Sequence, residues 1–282
     1  MDGNGRWAER RGVPRSLGHR EGVQALRRTI KAAPDLGVNC MTVFGFSTEN
    51  WSRPKDEVSD LMGLVRAFVG TDLKRLDDAG VRVRILGRRT GVPRDIVEII
   101  DRAERQTANN TKFLLQVAFN YGGRADLVDA AQAMVDRAAS EGRFDVTEEL
   151  FGRTLSTADA PPVDLIIRTS GEQRLSNFLL WECAYAELVF QDILWPDYGQ
   201  DALADAISQF KRRERRFGGR EAQDAPALCV RRGCELDGAK TQGYCPQGCV
   251  GIGAGSRRCA GNVGWWRVVL GADRGCGNHV GL

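Results

Sequence analysis

The chain of 282 residues has no apolar run near the roughly 20 residues that a membrane-spanning helix needs, and its first stretch, DGNGRWAERR, is too charged for a signal peptide. Both absences point to a soluble, globular protein. An excess of one charge is also missing over most of the length. Eight of the 40 Lys and Arg and five of the 37 Asp and Glu fall from Arg220 onward, leaving 32 of each sign before it. A neutral body argues against a general nucleic-acid surface, so phosphate-binding residues must form local clusters. Cysteine is nearly absent from that body: only Cys40 and Cys183 precede residue 220, as expected in a reducing cytosol, and six follow it. No Walker-type P-loop occurs, which removes that route to nucleotide chemistry. With 42% hydrophobic and 27% charged residues, the chain can bury a full core as one large domain or a domain with an appendage.

The densest chemistry stands at the start. MDGNGRWA, Met1 to Ala8, sets a carboxylate (Asp2), a carboxamide (Asn4), a guanidinium (Arg6) and an indole (Trp7) close together. Gly3 and Gly5 between them let the backbone approach a ligand. Asp2 offers a hard oxygen to Mg²⁺, and Arg6 offers phosphate a planar fork. A DGNG turn without chemistry is the competing reading of those four residues alone. From Gly18 to Leu36, Val23, Leu26 and Ile30 recur on one helical face with Arg27, Arg28 and Lys31 opposite, and Pro34 predicts a kink or an early stop. His19 and Arg20 fall at the start of that helix, where free N–H groups favour an anion. Arg15 and His19 are therefore expected to close on the phosphate that Arg6 holds.

Alternating strands and helices fill most of the remainder. Cys40–Phe46, Val81–Leu86, Phe113–Phe119 and Val163–Ile167 read as strands, and Val58–Ala79, Ile96–Ala108, Ala125–Ala139 and Phe178–Tyr185 as helices. The pattern implies an α/β fold with a central, mostly parallel sheet flanked by helices. Ligands in such folds bind at the carboxyl ends of the strands, which places STENWSRP, Ser47 to Pro54, in the same cleft as Asp2. There Ser47, Glu49 and Asn50 are polar, while Trp51 and Arg53 pair a flat wall with a phosphate fork. Arg168, Arg174 and Ser176, after the strand ending at Ile167, form a second anion site. Glu187, among apolar neighbours, is either a structural ion pair or a second metal ligand.

Taken in order, MDGNGRWA, FSTENWSRP, NYGGR, RTSGEQRLSNFLLW, AYAEL, LWPD and RRERRFGG resemble the undecaprenyl diphosphate synthases of the bacterial cis-prenyltransferase family, over residues 1 to about 219. The resemblance implies that fold, with a hydrophobic tunnel, and sequential condensation of isopentenyl diphosphate onto farnesyl diphosphate. The product would be a long-chain polyprenyl (undecaprenyl) diphosphate, the lipid carrier precursor for cell-wall synthesis. It also implies Mg²⁺, a cytoplasmic homodimer peripheral at the inner face of the plasma membrane, product passed to that membrane, and no nucleic-acid partner. By similarity, Gly3, Asn4, Gly5, Arg6, Arg15 and His19 hold the allylic diphosphate, with Mg²⁺ carried by Asp2. Arg168, Arg174 and Ser176 hold isopentenyl diphosphate, and Glu187 is a metal ligand contributed near the dimer interface. Trp7, Ser47, Thr48, Glu49, Trp51, Arg53 and Leu175 join the substrate-binding set. Proton removal falls to the region of Asn50 with Ser47 and Asp2, and because a carboxamide is a poor base, Asn50 is read as positioning the proton acceptor.

Each added isoprene unit is worth roughly 4 kcal/mol of burial, so the growing chain must be enclosed. The expected lining is the apolar stripe from Val58 to Leu76 with the strands of Gly45 and Phe113, Phe113 serving as a floor. A trans-type prenyl synthase would show DDxxD repeats, which are absent. A shorter-chain or dehydrodolichyl-type cis-prenyl synthase and a non-catalytic partner subunit of the same fold remain as alternatives; such subunits lose the aspartate or the arginines kept here.

Two departures follow from the resemblance. The family carries an apolar strand directly before MDGNGRWA, so the expectation is an empty position in the central sheet, with Asp2 beside a charged, frayed amino terminus. Family members also end soon after the position of Gly219. Residues 220–282 hold 13 of the 33 glycines without helical or strand periodicity, and a disordered or non-native tail is expected. Cys229, Cys234, Cys245, Cys249, Cys276 and His279 fit a zinc site only loosely.

Overall fold

The computed structural model describes residues 1–213 and 266–271. By its contacts the chain divides into residues 1–212 with 264–282, and a second unit of 213–263 of which only Arg213 is among the described residues. The candidate zinc ligands and most of the expected tail lie outside the described residues.

Among the described residues, six strands form one parallel sheet: β1 (Val38–Ser47), β2 (Val81–Leu86), β3 (Phe113–Tyr121), β4 (Leu165–Arg168), β5 (Glu187–Phe190) and β6 (Trp266–Leu270). Their order is β2-β3-β1-β6-β4-β5. Helices cover a parallel sheet, so its inner strands must be apolar nearly throughout. Met41, Val43, Leu115, Ile167, Val268 and Leu270 are accordingly buried in one core cluster, which also takes in Ala25, Leu26 and Ile30. The four strands expected from sequence all form, Val81–Leu86 with the expected ends and the others with ends displaced by at most two residues.

The long helices are α2 (Arg15–Ala32), α3 (Lys55–Asp78), α4 (Arg94–Gln106), α5 (Gly123–Glu141) and α7 (Gln200–Lys211), with short α1 (Asn4–Arg10) and α6 (Glu148–Gly152). Pro14, Pro54 and Pro93 stand immediately before α2, α3 and α4, where a fixed φ starts a helix at no hydrogen-bond cost. Pro34 stops α2 as expected, the chain passing into a 3₁₀ turn at Pro34–Leu36. Since α2 begins at Arg15, His19 sits one turn inside the helix rather than at its first residues.

Two expectations fail. Phe178–Tyr185 is not a helix: Ser176, Asn177 and Leu179 take left-handed φ of 53°, 61° and 43°, leaving only a 3₁₀ turn at Glu182–Tyr185. Asn177 explains this. Its side chain donates to Glu49 and accepts the Arg124 N–H, and its carbonyl accepts from Gly123 N, so bonds to distant loops outweigh the helical preference of FLLW. The second failure is the empty sheet position. β6, from the stretch expected to lack strand character, lies there between β1 and β4.

Candidate active site

Asp2 is fully buried at the carboxyl end of the sheet. Its backbone is fixed first: its N–H donates to Thr169 Oγ1 (3.1 Å), while its carbonyl accepts from Ser170 Oγ (2.7 Å) and Trp195 N (2.9 Å). Gly3 must follow, since with φ +100° a Cβ there would lie 2.2 Å from Ser170 Oγ. The carboxylate then takes one arginine on each oxygen, Arg6 at 3.4 Å on Oδ1 and Arg168 at 3.0 Å on Oδ2. The two expected anion sites thus meet on a single carboxylate. A buried charge needs such pairing to be tolerated at all.

Around Arg168, which is 2% exposed, Nη1 donates to Ser176 Oγ (2.7 Å) and to the Arg174 carbonyl. Arg174 pairs with Glu172, whose other oxygen is 3.3 Å from Arg6. Glu172 therefore ties the two cation groups together. Glu57 does the same within the first group, reaching Arg53 at 2.8 Å, Arg15 at 3.5 Å and His19 at 3.7 Å. Sequence reasoning passed over both glutamates. Glu57 opens α3 four residues after Arg53 and could have been found from that helical spacing, whereas nothing local marks Glu172 as facing Arg6.

Burial holds the His19 pKa below its ordinary value, with Arg53 and Arg15 acting in the same direction against Glu57. The unfolded chain then binds the His19 proton more readily than the folded one. Between the lowered pKa and the ordinary value of 6.5, stability rises with pH and is lost as pH falls through that window. Urea unfolding of the His19→Gln variant is expected to show a shallower loss of midpoint than wild type as pH falls from about 7 to about 5.5. Equal slopes would remove His19 from the acid sensitivity.

The other expected residues divide. Asn50 and Glu49 line the mouth of the cavity described below; Asn50 Oδ1 accepts the Ser47 N–H (2.9 Å) while its Nδ2 is buried without a partner, a donor available to a ligand. Gly5 leaves space beneath the Arg15 guanidinium, 3.6 Å from where a Cβ would sit. Thr48 bonds Glu49 (3.2 Å). Trp51, by contrast, is held at Asn120 (2.8 Å) and packs its edge on Phe46, and Leu175 packs on a core cluster. Trp7 donates to Asp197 (2.7 Å) beneath Arg11 and does not line the cavity. The Asn4 side chain lies against Gly22, fixing α1 to α2. Glu187 pairs with Leu165, three residues below Arg168 along β4, and does not join Asp2 within this chain. Among the described residues no group of three or more His, Cys, Asp or Glu could hold a metal.

Below the charged mouth opens a cavity of about 820 Å³. Leu61, Val65, Phe68 and Val69 of α3 line one side, and Gly45, Val83, Ile85, Leu115 and Val117 of the sheet the other. This explains why so much of the α3 stripe is only half-buried: of its apolar residues, Met62 and Leu73 alone are fully packed. Phe113 shares the strand face of Leu115 but belongs to the packed core beyond the lining.

Cations gathered at strand ends above an apolar cavity define an α/β protein built for an amphiphile with an anionic head. The chain belongs to the prenyltransferase family: the model described as "Putative undecaprenyl diphosphate synthase" matches residues 1–218. An isoprenyl transferase of Caulobacter vibrioides is 63% identical over 226 residues, covering 79% of this chain and 87% of that one. One from Neisseria meningitidis is 50% identical over 218 residues, 77% and 86% of the two chains. Among solved structures, lavandulyl diphosphate synthase from Lavandula x intermedia, in complex with dimethylallyl diphosphate, superposes with a TM-score of 0.75 at 34% identity, over 78% of this chain and 95% of that one. A probable undecaprenyl diphosphate synthase from Campylobacter jejuni gives 0.65 at 30%, over 71% and 93%.

Proposed function

We propose that this cis-prenyltransferase extends farnesyl diphosphate with isopentenyl diphosphate units to a long-chain polyprenyl diphosphate of undecaprenyl type, a lipid carrier precursor for cell-wall synthesis. The single observation carrying the reading is the buried Asp2 carboxylate, shared by Arg168 and by Arg6, the latter lining the apolar cavity. Departure of the allylic diphosphate builds negative charge that needs preorganised donors. Arg6, Arg15 and Arg53 supply them on one side; Arg168, Arg174 and Ser176 hold the second diphosphate, aligning the new carbon–carbon bond. Asn50 orients the acceptor of the proton that then leaves the isopentenyl unit.

Asp2 fits Mg²⁺ through its hard carboxylate oxygens, since the ion takes one or two carboxylates and otherwise substrate phosphate oxygens, and bound diphosphate would supply the charge that offsets the repulsion from Arg6 and Arg168. Asp2 would hold it, and the ion would neutralise charge on the leaving group. Glu187 lies on β5, the outermost strand on its side of the sheet, near the exposed Trp181, Tyr185 and Phe190. That edge supports a homodimer to which Glu187 contributes. No helix among the described residues is long and apolar enough to cross a membrane; a cytoplasmic enzyme delivering its product to the membrane face is part of the proposal.

Incubation with farnesyl diphosphate, labelled isopentenyl diphosphate and Mg²⁺ should yield long polyprenyl products, and no extension would overturn the reading. Val65→Trp, which fills the cavity beside α3, should shift the products shorter by several units. An unchanged size distribution would exclude that wall as the lining. Burial of about 4 kcal/mol per isoprene unit also makes product release slow, so non-ionic detergent should raise steady-state turnover. Equal turnover with and without detergent would contradict an enclosed product.

A further inference from the structure

We infer that Trp266–Gly271, followed in space by Met1 and Asp2, forms one discontinuous central strand, and that the carboxy-terminal segment thereby positions Asp2 and Arg168. Pairing on both sides is continuous. Val268, Val269 and Leu270 sit beside Met41, Thr42 and Val43 of β1 and beside Leu165, Ile166 and Ile167 of β4. Gly271 then donates to the Ile167 carbonyl (3.0 Å), and its own carbonyl accepts from the Met1 amino group. The next residue, Asp2, bonds Thr169 and Ser170, so the line of β6 continues into Asp2 just as β4 continues into the loop after Arg168. A side chain at 271 would begin 3.8 Å from Arg168 Cδ.

The composition of the segment fits the position. Val268, Val269 and Leu270 are fully buried, as an inner parallel strand requires. Arg267, the one charged residue, is 2% exposed, yet it donates to Pro161 O (2.6 Å), Gln116 Oε1 (2.7 Å) and Thr42 Oγ1 (3.1 Å). Those acceptors come from three separate parts of the fold. Thr42 and Gln116 are buried polar residues in the middle of β1 and β3, and they face each other at 2.8 Å. Without β6, the facing backbone edges of β1 and β4 would have no partner in the middle of the sheet.

Hydrogen exchange on the full-length chain tests the strand independently of any reaction. The amides of Val268–Leu270 should be protected to the same degree as those of Met41–Val43. Exchange at the rate of an unstructured peptide would overturn the inference even if the enzyme is active. Two truncations test the positioning, which rests on the proposed reaction. A chain ending at Gly271 should keep wild-type kcat/KM, while one ending at Trp265 should lose about a hundredfold or more, the scale of a small misplacement of reacting groups. A peptide of residues 264–272 added in trans should restore part of the loss. With the full-length chain active, equal activity of the two truncations, whether high or low, would overturn the positioning role. Protected amides without turnover in any form would instead count against the reaction and leave the strand standing.

Discussion

Asp2→Ala is expected to remove nearly all turnover and, separately, to destabilise the folded chain by about 3–5 kcal/mol, the range found when one partner of a buried ion pair is deleted. Both follow from one geometry. Arg168 is buried against Asp2 Oδ2 at 3.0 Å, and truncation leaves its charge in the core with only Ser176 and the Arg174 carbonyl beside it. The Arg6 contact, at 3.4 Å and with Arg6 more than a third exposed, adds little to stability because water screens it. The two effects can be separated. Adding Arg168→Met to Asp2→Ala removes the orphaned charge and should recover much of the urea midpoint while turnover stays lost. Retention of more than about a tenth of wild-type kcat by Asp2→Ala, under 1.4 kcal/mol of barrier, would end the metal role proposed for this carboxylate.

Gly18→Ala should be nearly as damaging, although Gly18 touches no proposed substrate atom. A Cβ on Gly18 would lie 2.2 Å from the Asn4 carbonyl and 3.1 Å from Ala8 Cβ, and the first of these is backbone that cannot turn aside. α1 must then move away from α2. Overpacking of this kind costs about 1–3 kcal/mol. The larger effect falls on the site, because α1 carries Arg6 while α2 carries Arg15 and His19. Their spacing decides whether one diphosphate can reach all three. Affinity for inorganic pyrophosphate should fall at least tenfold while the midpoint of unfolding drops only modestly, and unchanged affinity would show that the two helices do not jointly form the first anion site.

Much of this site could be read directly from residue order. Asp2 and Arg6 stood out as a carboxylate and a guanidinium among the glycines of MDGNGRWA, and Arg168 and Arg174 as arginines following an apolar strand; the structure brings the four together. The α3 stripe was also legible as a lining, since a product gaining about 4 kcal/mol of burial per isoprene unit has to be enclosed by apolar side chains. Other parts could not be read. Trp7 and Trp51 look like ligand walls in sequence, but each indole N–H found a protein acceptor, Asp197 and Asn120, that lies far along the chain. Glu57 and Glu172 act as counterions to three and two basic side chains, respectively, through contacts that no short-range spacing fully announces.

By itself, the sequence determined the inner strands β1, β3 and β4, because a parallel strand covered on both faces must be apolar along its length. It also determined the existence of α2, α3 and α4, each of which starts two or three residues ahead of its expected start because Pro14, Pro54 and Pro93 set φ there. Only the tertiary structure decided that Trp266–Leu270 occupies the place between β1 and β4, that Ser176–Leu179 abandons helix for left-handed turns, and that two distant arginines share Asp2. The pairings of β6 with β1 and β4 and the Arg168–Asp2 ion pair join residues more than a hundred positions apart, and such contacts leave no period in the local pattern.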